Sequence, residues 1–513
     1  MRFRGSAGNS GYCVPPLGIT TTLGFFKQEL SEDSGVNSLH TVLVLLGLLG
    51  CTAIAAQPEQ PVEVPPAINP HNVPANHDPY RFDVDKSVEQ SVRLTHTPEG
   101  VRFTWPHMSA TTWDTALLGV KSAGAESQPW IEVSTETASV RQFLDPYAVG
   151  IRWLNLSGLR NGLAAGSQVT VRANAVTLQG DEATVRLFQN RLDLRKPLLV
   201  IAPHPDDAEI AAFGLYADRE STIVTLTAGN AGSMNYRAQA ADPPEHYRLK
   251  GYLRAVDSVV VPWQGGIPPD RSYNLGYFDG RLDVMYADPL RTINEVYGPN
   301  TDVAPYRRAN VSALLPNQSR TNTWNHLVED IVTVLRKVNP AIIVMPDPRL
   351  DSHLDHEYAA VAVVQALERW DREATFLLYT NHAASNHYPF GPTGSVVSLP
   401  SIMPGSEEIR LQKVFSYETD RELQTRKLFA LESMHDLRLS PEEQSSCDTP
   451  DFQRRSDDYP RMIEEDYFRR AVRANEIFYA FDRAGVQQVV AKFLASMTKT
   501  QDPPGSKQGD SSR

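Results

Sequence analysis

The chain is poor in cysteine. Its 513 residues hold three, Cys13, Cys51 and Cys447, too few for a disulfide framework. No two of them stand at the spacing of a zinc-binding pair. Positive charge is also scarce: 49 lysines and arginines against 61 acidic residues leave a formal net charge of −12. That balance argues against nucleic acid or an anionic membrane surface as partner. The apolar stretch "TVLVLLGLLGCTAIAA" has sixteen residues, short for a membrane span of ~20 residues. The Gly-rich "TAGNAGS", residues 227–233, lacks the lysine of a P-loop and the G-x-G-x-x-G spacing; it reads as a tight loop at the rim of a site. No internal repeat is visible.

What is there fits a soluble globular protein of two or more domains, with 41% hydrophobic and 21% charged residues over 513. Residues 1–56 read as a targeting segment. Residues 41–56 suit a signal-peptide apolar region, Ala53-Ile54-Ala55 offers a cleavage site, and Leu48 to Cys51 resembles a lipobox. The expectation is an exported chain of the cell envelope, periplasm or exterior, with Cys51 as a candidate lipid anchor. Residues 57–80 are Pro-rich and predict a linker. Residues 81–190 show short alternating runs. "SVRLTHTPEGVRFTW" predicts a hairpin, and "QVTVRANAVTLQGDEATVRLF" a second one turning near Gly180-Asp181. The expectation is a small antiparallel β-sandwich. Its tryptophans, Trp105, Trp113, Trp130 and Trp153, are expected in packing rather than on a sugar-stacking face.

From residue 193 to about 490 the pattern changes. "PLLVIAP", "STIVTLT", "AIIVMP" and "TFLLYT" are continuous apolar runs suited to strands buried on both faces. Helical stretches fall between them, among them "DDAEIAAFGLYAD", "NHLVEDIVTVLRKV" and "HEYAAVAVVQALERW". Strand and helix alternate, which predicts a Rossmann-like, mostly parallel α/β sheet. Residues 498–513 form a polar tail expected to be disordered.

Two clusters of ligand-type side chains follow two of these strands. "VIAPHPDDAEI" places His204, Asp206, Asp207 and Glu209 after the first; "DPRLDSHLDHE" places His353, Asp355 and His356 after the third. In an open α/β sheet, ligands bind beyond the carboxyl ends of the strands, and His with Asp is the vocabulary of a zinc site. A paired aspartate alone would read as a helix cap. A second cluster in a matching context makes a site the better reading.

These motifs resemble the PIG-L or LmbE-like zinc-dependent deacetylases. His204-Pro205-Asp206-Asp207-Ala208-Glu209 is similar to the family's H-P-D-D-x-E. His353-Leu354-Asp355-His356 is similar to its H-P-D-H, with leucine for proline. "LGYFDGRL", residues 275–282, and "KLFALESMH", ending at His435, resemble two further family segments. Arg248 matches a family R-x-x-E pattern only in its arginine. The resemblance implies a Zn2+ ion, or another divalent metal such as Fe2+, held by His204, Asp207 and His356. It implies Asp206 as general base and His353 as acid or oxyanion stabiliser. Asp355 would hold His353 in one tautomer, Glu209 would brace the loop, and Asp279 and Arg248 are candidates for substrate binding. His435 divides evenly between a core and a site role. The implied activity is deacetylation of an N-acetylated sugar or glycoconjugate. Two alternatives stand beside it: the same chemistry on a non-sugar amide, or a carbohydrate-binding or scaffold protein with a vestigial site.

Overall fold

The computed structural model describes residues 77–500, apart from 110–111, 146–148, 233–235, 316–319, 384–387, 403–407 and 438–466. The targeting segment with Cys51, most of the Pro-rich stretch, Cys447 and the tail after residue 500 lie outside the described residues.

A short strand, β1 (Tyr80–Phe82), leads into seven antiparallel strands: β2 (Ser87–Arg93), β3 (Thr95–Thr97), β4 (Gly100–Thr104), β5 (Thr115–Ser134), β6 (Ser139–Phe143), β7 (Gly150–Asn155) and β8 (Gln168–Phe188). Alternation does what it should: in β4, Val101 and Phe103 are buried while Arg102 and Thr104 face out. The hairpin around Thr97 to Gly100 forms, with Thr95 opposite Arg102. The second expected hairpin does not. Residues 168–188 are one strand of 21 residues, and Gly180 sits at φ +80°. The β5 pairing there steps from Lys121↔Gln179 to Gly119↔Thr184. The turn-prone residues thus bulge and bend the strand without reversing it. One continuous sheet results where two were expected. Its bent halves enclose a shared core, with Leu118 and Val185 from one half and Ile131, Val133 and Val169 from the other.

The second sheet carries the candidate site. In chain order this part of the chain forms β9 (Leu198–Ala202), α1 (Asp207–Tyr216), β10 (Ser221–Thr227), α2 (Pro243–Val260), β11 (Ser272–Tyr277), α3 (Leu282–Ala287), α4 (Ala304–Arg307), α5 (Trp324–Val338), β12 (Ile342–Pro346), α6 (Leu354–Leu367), β13 (Thr375–Tyr379), β14 (Ile409–Leu411, outside this sheet), β15 (Lys413–Glu418), α7 (Arg421–Ser433), α8 (Tyr467–Arg470), β16 (Asn475–Phe481) and α9 (Arg483–Thr500). The strand order is β11-β10-β9-β12-β13-β16-β15. The first five are parallel; β16 and β15 join antiparallel at one edge. Every residue of β9 and β12 is buried, as a strand covered on both faces requires.

Successive strands run outward from β9 on one side and from β12 on the other. The order therefore reverses between these two neighbours, which pair as Val200↔Val344. Such a switch point opens a crevice at the carboxyl ends of the strands. Both ligand-type clusters begin there.

The antiparallel sheet is tied to this one by specific bonds. Ser416 N–H donates to Thr115 Oγ1 (2.9 Å) and Asn155 Nδ2 to Ser416 Oγ (2.8 Å). β1 pairs in parallel with β14. Trp153 is buried between Phe82 and Gly119, and Trp105 is buried in the sheet's own core. Trp113 and Trp130 are half-buried under Arg160 and Arg141.

Candidate active site and metal centre

The turn after β9 is tight enough to force an unusual backbone. Asp206 has φ +134°, a region that L-residues seldom adopt and that costs roughly 1–3 kcal/mol. Arg254 on α2 holds the turn: its Nη2 donates to the Pro205 carbonyl (3.0 Å) and to Asp206 Oδ2 (2.9 Å). The Asp206 side chain is thereby committed to Arg254. Asp207, one residue on, points the other way.

Asp207 Oδ2 lies 3.3 Å from His204 Nδ1 and 3.1 Å from His356 Nε2, and the two nitrogens are 3.2 Å apart. Neighbouring carboxylates fix the protons on both rings. His356 Nδ1 stands 3.0 Å from Asp351 Oδ2, so it carries the hydrogen and leaves a lone pair on Nε2. His204 Nε2 faces Asp355 Oδ2 at 3.1 Å and Asp279 Oδ1 at 3.2 Å, which leaves its lone pair on Nδ1. Two lone pairs and a carboxylate oxygen thus converge on one point. Donors bonded to a single small ion at 2.0–2.2 Å stand roughly 3.3 Å apart, so the triangle fits a divalent cation. Carboxylates behind both imidazoles are the usual support of ligating histidines.

The electrostatics point the same way. Burial works against charge on His356, yet Asp207 and Asp351 raise its pKa to about 10. Burial likewise opposes charge on His204, and Asp279 and Asp207 lift it well above the ordinary value. Burial pushes Asp279 up, but His204 outweighs it and holds the carboxyl below the usual range. The cluster therefore attracts positive charge, which a metal ion supplies as well as protons do. Asp206 differs: burial pushes it to about 7, with Arg254 opposing.

His353 caps α6, its Nδ1 accepting from the Asp355 backbone N–H at 3.2 Å. That leaves the hydrogen on Nε2, as a donor. Burial and the neighbouring His204 and His356 lower its pKa to about 4, so it is neutral near pH 7. The expected pairing of the Asp355 carboxylate with His353 is corrected here. The carboxylate faces His204 and accepts from Gly280 N–H (2.7 Å) and Leu282 N–H (3.1 Å); the Asp355 main chain, not its side chain, sets the His353 tautomer.

Other residues read from the sequence fall as follows. Asp279 is buried against His204 and accepts from Ala231 N–H, behind the imidazole rather than on an open edge. Asn230, within the Gly-rich stretch, does reach the site, since its Oδ1 accepts from Asp279 N–H. Glu209 is buried, bonded to the Tyr216 hydroxyl (2.9 Å) and pushed by burial to about 8. Arg248 is exposed on α2; the cations this helix brings inward are Lys250 and Arg254, both bridged to Asp436. His435 bonds Asp257 through its N–H (2.8 Å) and its Nδ1 (2.7 Å), outside the triangle.

Sequence reasoning missed Arg254, Asp351, Asn381 and His382. Asn381 Nδ2 donates to Asp207 Oδ1 (2.8 Å). The His382 ring lies 4.6 Å from that of His356, and Asp207, His356 and His382 form a second group close enough to share an ion.

Residues 199–367 match the family model described as PIG-L: GlcNAc-PI de-N-acetylase. The matched span runs from β9 to the end of α6 and contains both His/Asp clusters. A comparison with curated proteins finds no match. Among solved structures, the chain is similar to Dbv21, a deacetylase of the antimicrobial reagent A40926 pseudoaglycone. They share 17% identity over 56% of this chain and 98% of that one, with a TM-score of 0.29. It is also similar to GalB, the 4-carboxy-2-hydroxymuconate hydratase from Pseudomonas putida KT2440, at 13% identity over 36% and 65% of the chains and a TM-score of 0.23. At such TM-scores neither likeness bears on fold or function.

Proposed function

We propose, from the match of residues 199–367 to the PIG-L family model, that this chain is a metal-dependent hydrolase that removes an N-acetyl group from an amino-sugar substrate. The observation that carries the reading is the triangle of His204 Nδ1, His356 Nε2 and Asp207 Oδ2, with sides of 3.1 to 3.3 Å and carboxylates fixing both ring tautomers.

These three residues would hold Zn2+ or another divalent ion such as Fe2+, which when bound supplies Lewis acidity and makes water a nucleophile near neutral pH. The rest of the work belongs to the chain. Asp206, ionised against Arg254 and raised by burial to about 7, takes the proton of the attacking water; a base poised near the working pH is the effective one. His353 presents Nε2–H to the carbonyl oxygen as negative charge develops there. The proton that Asp206 has taken from the water then passes to the departing amine, while His353 stays a neutral hydrogen-bond donor. Asp355, Asp279 and Asp351 keep His204 and His356 in the ligating tautomers. The exposed Arg248 and the described rim residues 227–232 are candidates to meet the wider substrate.

The apolar segment 41–56 and the lipobox-like Leu48 to Cys51 support export, with a lipid anchor at Cys51. An exported enzyme meets glycoconjugates rather than cytoplasmic intermediates, which favours a sugar over a non-sugar amide. The test is a panel of N-acetylated saccharides scored for released acetate, with metal supplied and with metal chelated. Metal-dependent acetate release from an amino sugar is expected. Release only from non-sugar amides would move the substrate class, and a metal-loaded protein inert on the whole panel would sink the reading.

A further inference from the structure

Lys427 on α7 and Glu476 on β16 form a buried ion pair to which the proposed reaction gives no part. Lys427 Nζ stands 2.9 Å from Glu476 Oε1, with the side chains 2% and 3% exposed. Desolvation offsets much of the attraction in such a pair, so its other bonds show what it does. Helix α1 is broken: Ala212 has φ −142° and ψ 17°, outside the helical range. Before the break, Lys427 Nζ donates to the Ile210 carbonyl (2.8 Å). After it, Glu476 Oε1 accepts from Gly214 N–H (2.8 Å) and Oε2 from Leu215 N–H (2.9 Å).

In an unbroken helix Gly214 N–H would bond the Ile210 carbonyl directly. Here the ion pair stands between those two groups, so one backbone hydrogen bond is replaced by a bridge of two charged side chains. Gly214 permits the approach: a Cβ there would meet Thr419 Cγ2 at 2.4 Å and Glu476 Oε2 at 3.3 Å. Tyr216 reaches back across the break to Glu209. The turn upstream is the one that matters. Ile210 N–H bonds the Asp206 carbonyl (2.9 Å), closing a single turn that carries Asp206 and Asp207. Lys427 holds that turn at its far end.

We infer that Lys427 and Glu476 are positioning residues: by splicing a charged bridge into α1 they set the direction of its first turn, and so bring Asp207 Oδ2 to His204 and His356. The inference rests on the metal-dependent reading above.

The full chain, freed of metal and titrated with Co2+ alone, tests it. The double variant Lys427→Met with Glu476→Leu removes both charges at similar volume. Its Co2+ affinity should fall by about 10- to 100-fold, the range for residues that orient ligands. Its cobalt absorption spectrum should change, and kcat should fall with KM nearly kept. A control variant, Arg307→Met with Asp330→Leu, removes another buried ion pair; it should change stability and leave Co2+ affinity unchanged. Equal affinity and spectrum in the first variant and the unaltered chain overturn the inference. So does an equal loss in the control, which would make the effect general loosening. Where the double variant does not fold, Glu476→Gln decides: it keeps the shape and one acceptor oxygen, and an unchanged affinity there overturns the inference too. An unaltered chain that takes up no Co2+ instead removes the metal-dependent reading, and this inference with it.

Discussion

Asp351 Oδ2 stands 3.0 Å from His356 Nδ1, while His356 Nε2 faces Asp207. The same oxygen accepts from Asn381 N–H (2.9 Å), and Asp351 Oδ1 accepts from His353 N–H (3.1 Å). One buried carboxylate therefore fixes the tautomer of His356 and the loop that presents His353. Asp351→Asn should weaken metal binding by roughly 10- to 100-fold while the chain stays folded. Metal titration followed by circular dichroism checks it.

Asp206 and Asp207 are neighbours with different surroundings. Asp207→Asn should weaken metal binding, because a neutral amide is a poorer donor to a divalent cation. Asp206→Asn should leave the metal content unchanged and lower turnover by about 10²–10⁴-fold. Elemental analysis and turnover are to be measured on both. The roles are exchanged if Asp206→Asn loses the ion and Asp207→Asn keeps it.

His353→Ala should retain the metal, since His204, Asp207 and His356 are untouched, and reduce kcat by about 10²–10³-fold. His353→Gln, which still offers an N–H, should recover part of that loss. Equal rates for the two variants would argue against a hydrogen-bond donor at this position.

Glu295 gives a pH-dependent stability. It is buried, bonded to Tyr306 and Asn230, and burial raises its pKa, with Arg248 among the groups opposing. The fold therefore favours its protonated form. Its contribution is fully present below the unfolded value of about 4.3 and is lost as pH rises through the folded value. Urea midpoints of the wild type should fall relative to Glu295→Gln as pH increases across that interval. A constant difference between the two would refute the assignment.

The parts of this architecture visible in the sequence share one physical cause. Strands β9, β10, β12 and β13 are covered on both faces, so their apolar runs are continuous and short. The motifs His204 to Glu209 and His353 to His356 follow directly in sequence from two of them. Contacts fixed by tertiary approach left no such trace. Arg254 sits on a helix of unremarkable composition, and only the packing of α2 against the 203–206 turn brings it to Asp206. Asp351 lies inside a stretch already singled out, but its five-residue offset from His356 says nothing until the loop's path is known. The Asp355 carboxylate meets His204, 151 residues away, and no local spacing distinguishes that from a bond to His353. Gly180-Asp181 has the chemistry of a hairpin turn; pairing on both flanks of β8 turned the same residues into a bulge.

His204 and His356 are 152 residues apart in the chain and meet only because β9 and β12 lie side by side. An ion shared between them would act as a cross-link closing a long loop, and closing long loops removes freedom from the unfolded chain. Occupancy would also resist unfolding by mass action. A protease should distinguish the loaded from the stripped protein most sharply across the segment between these strands.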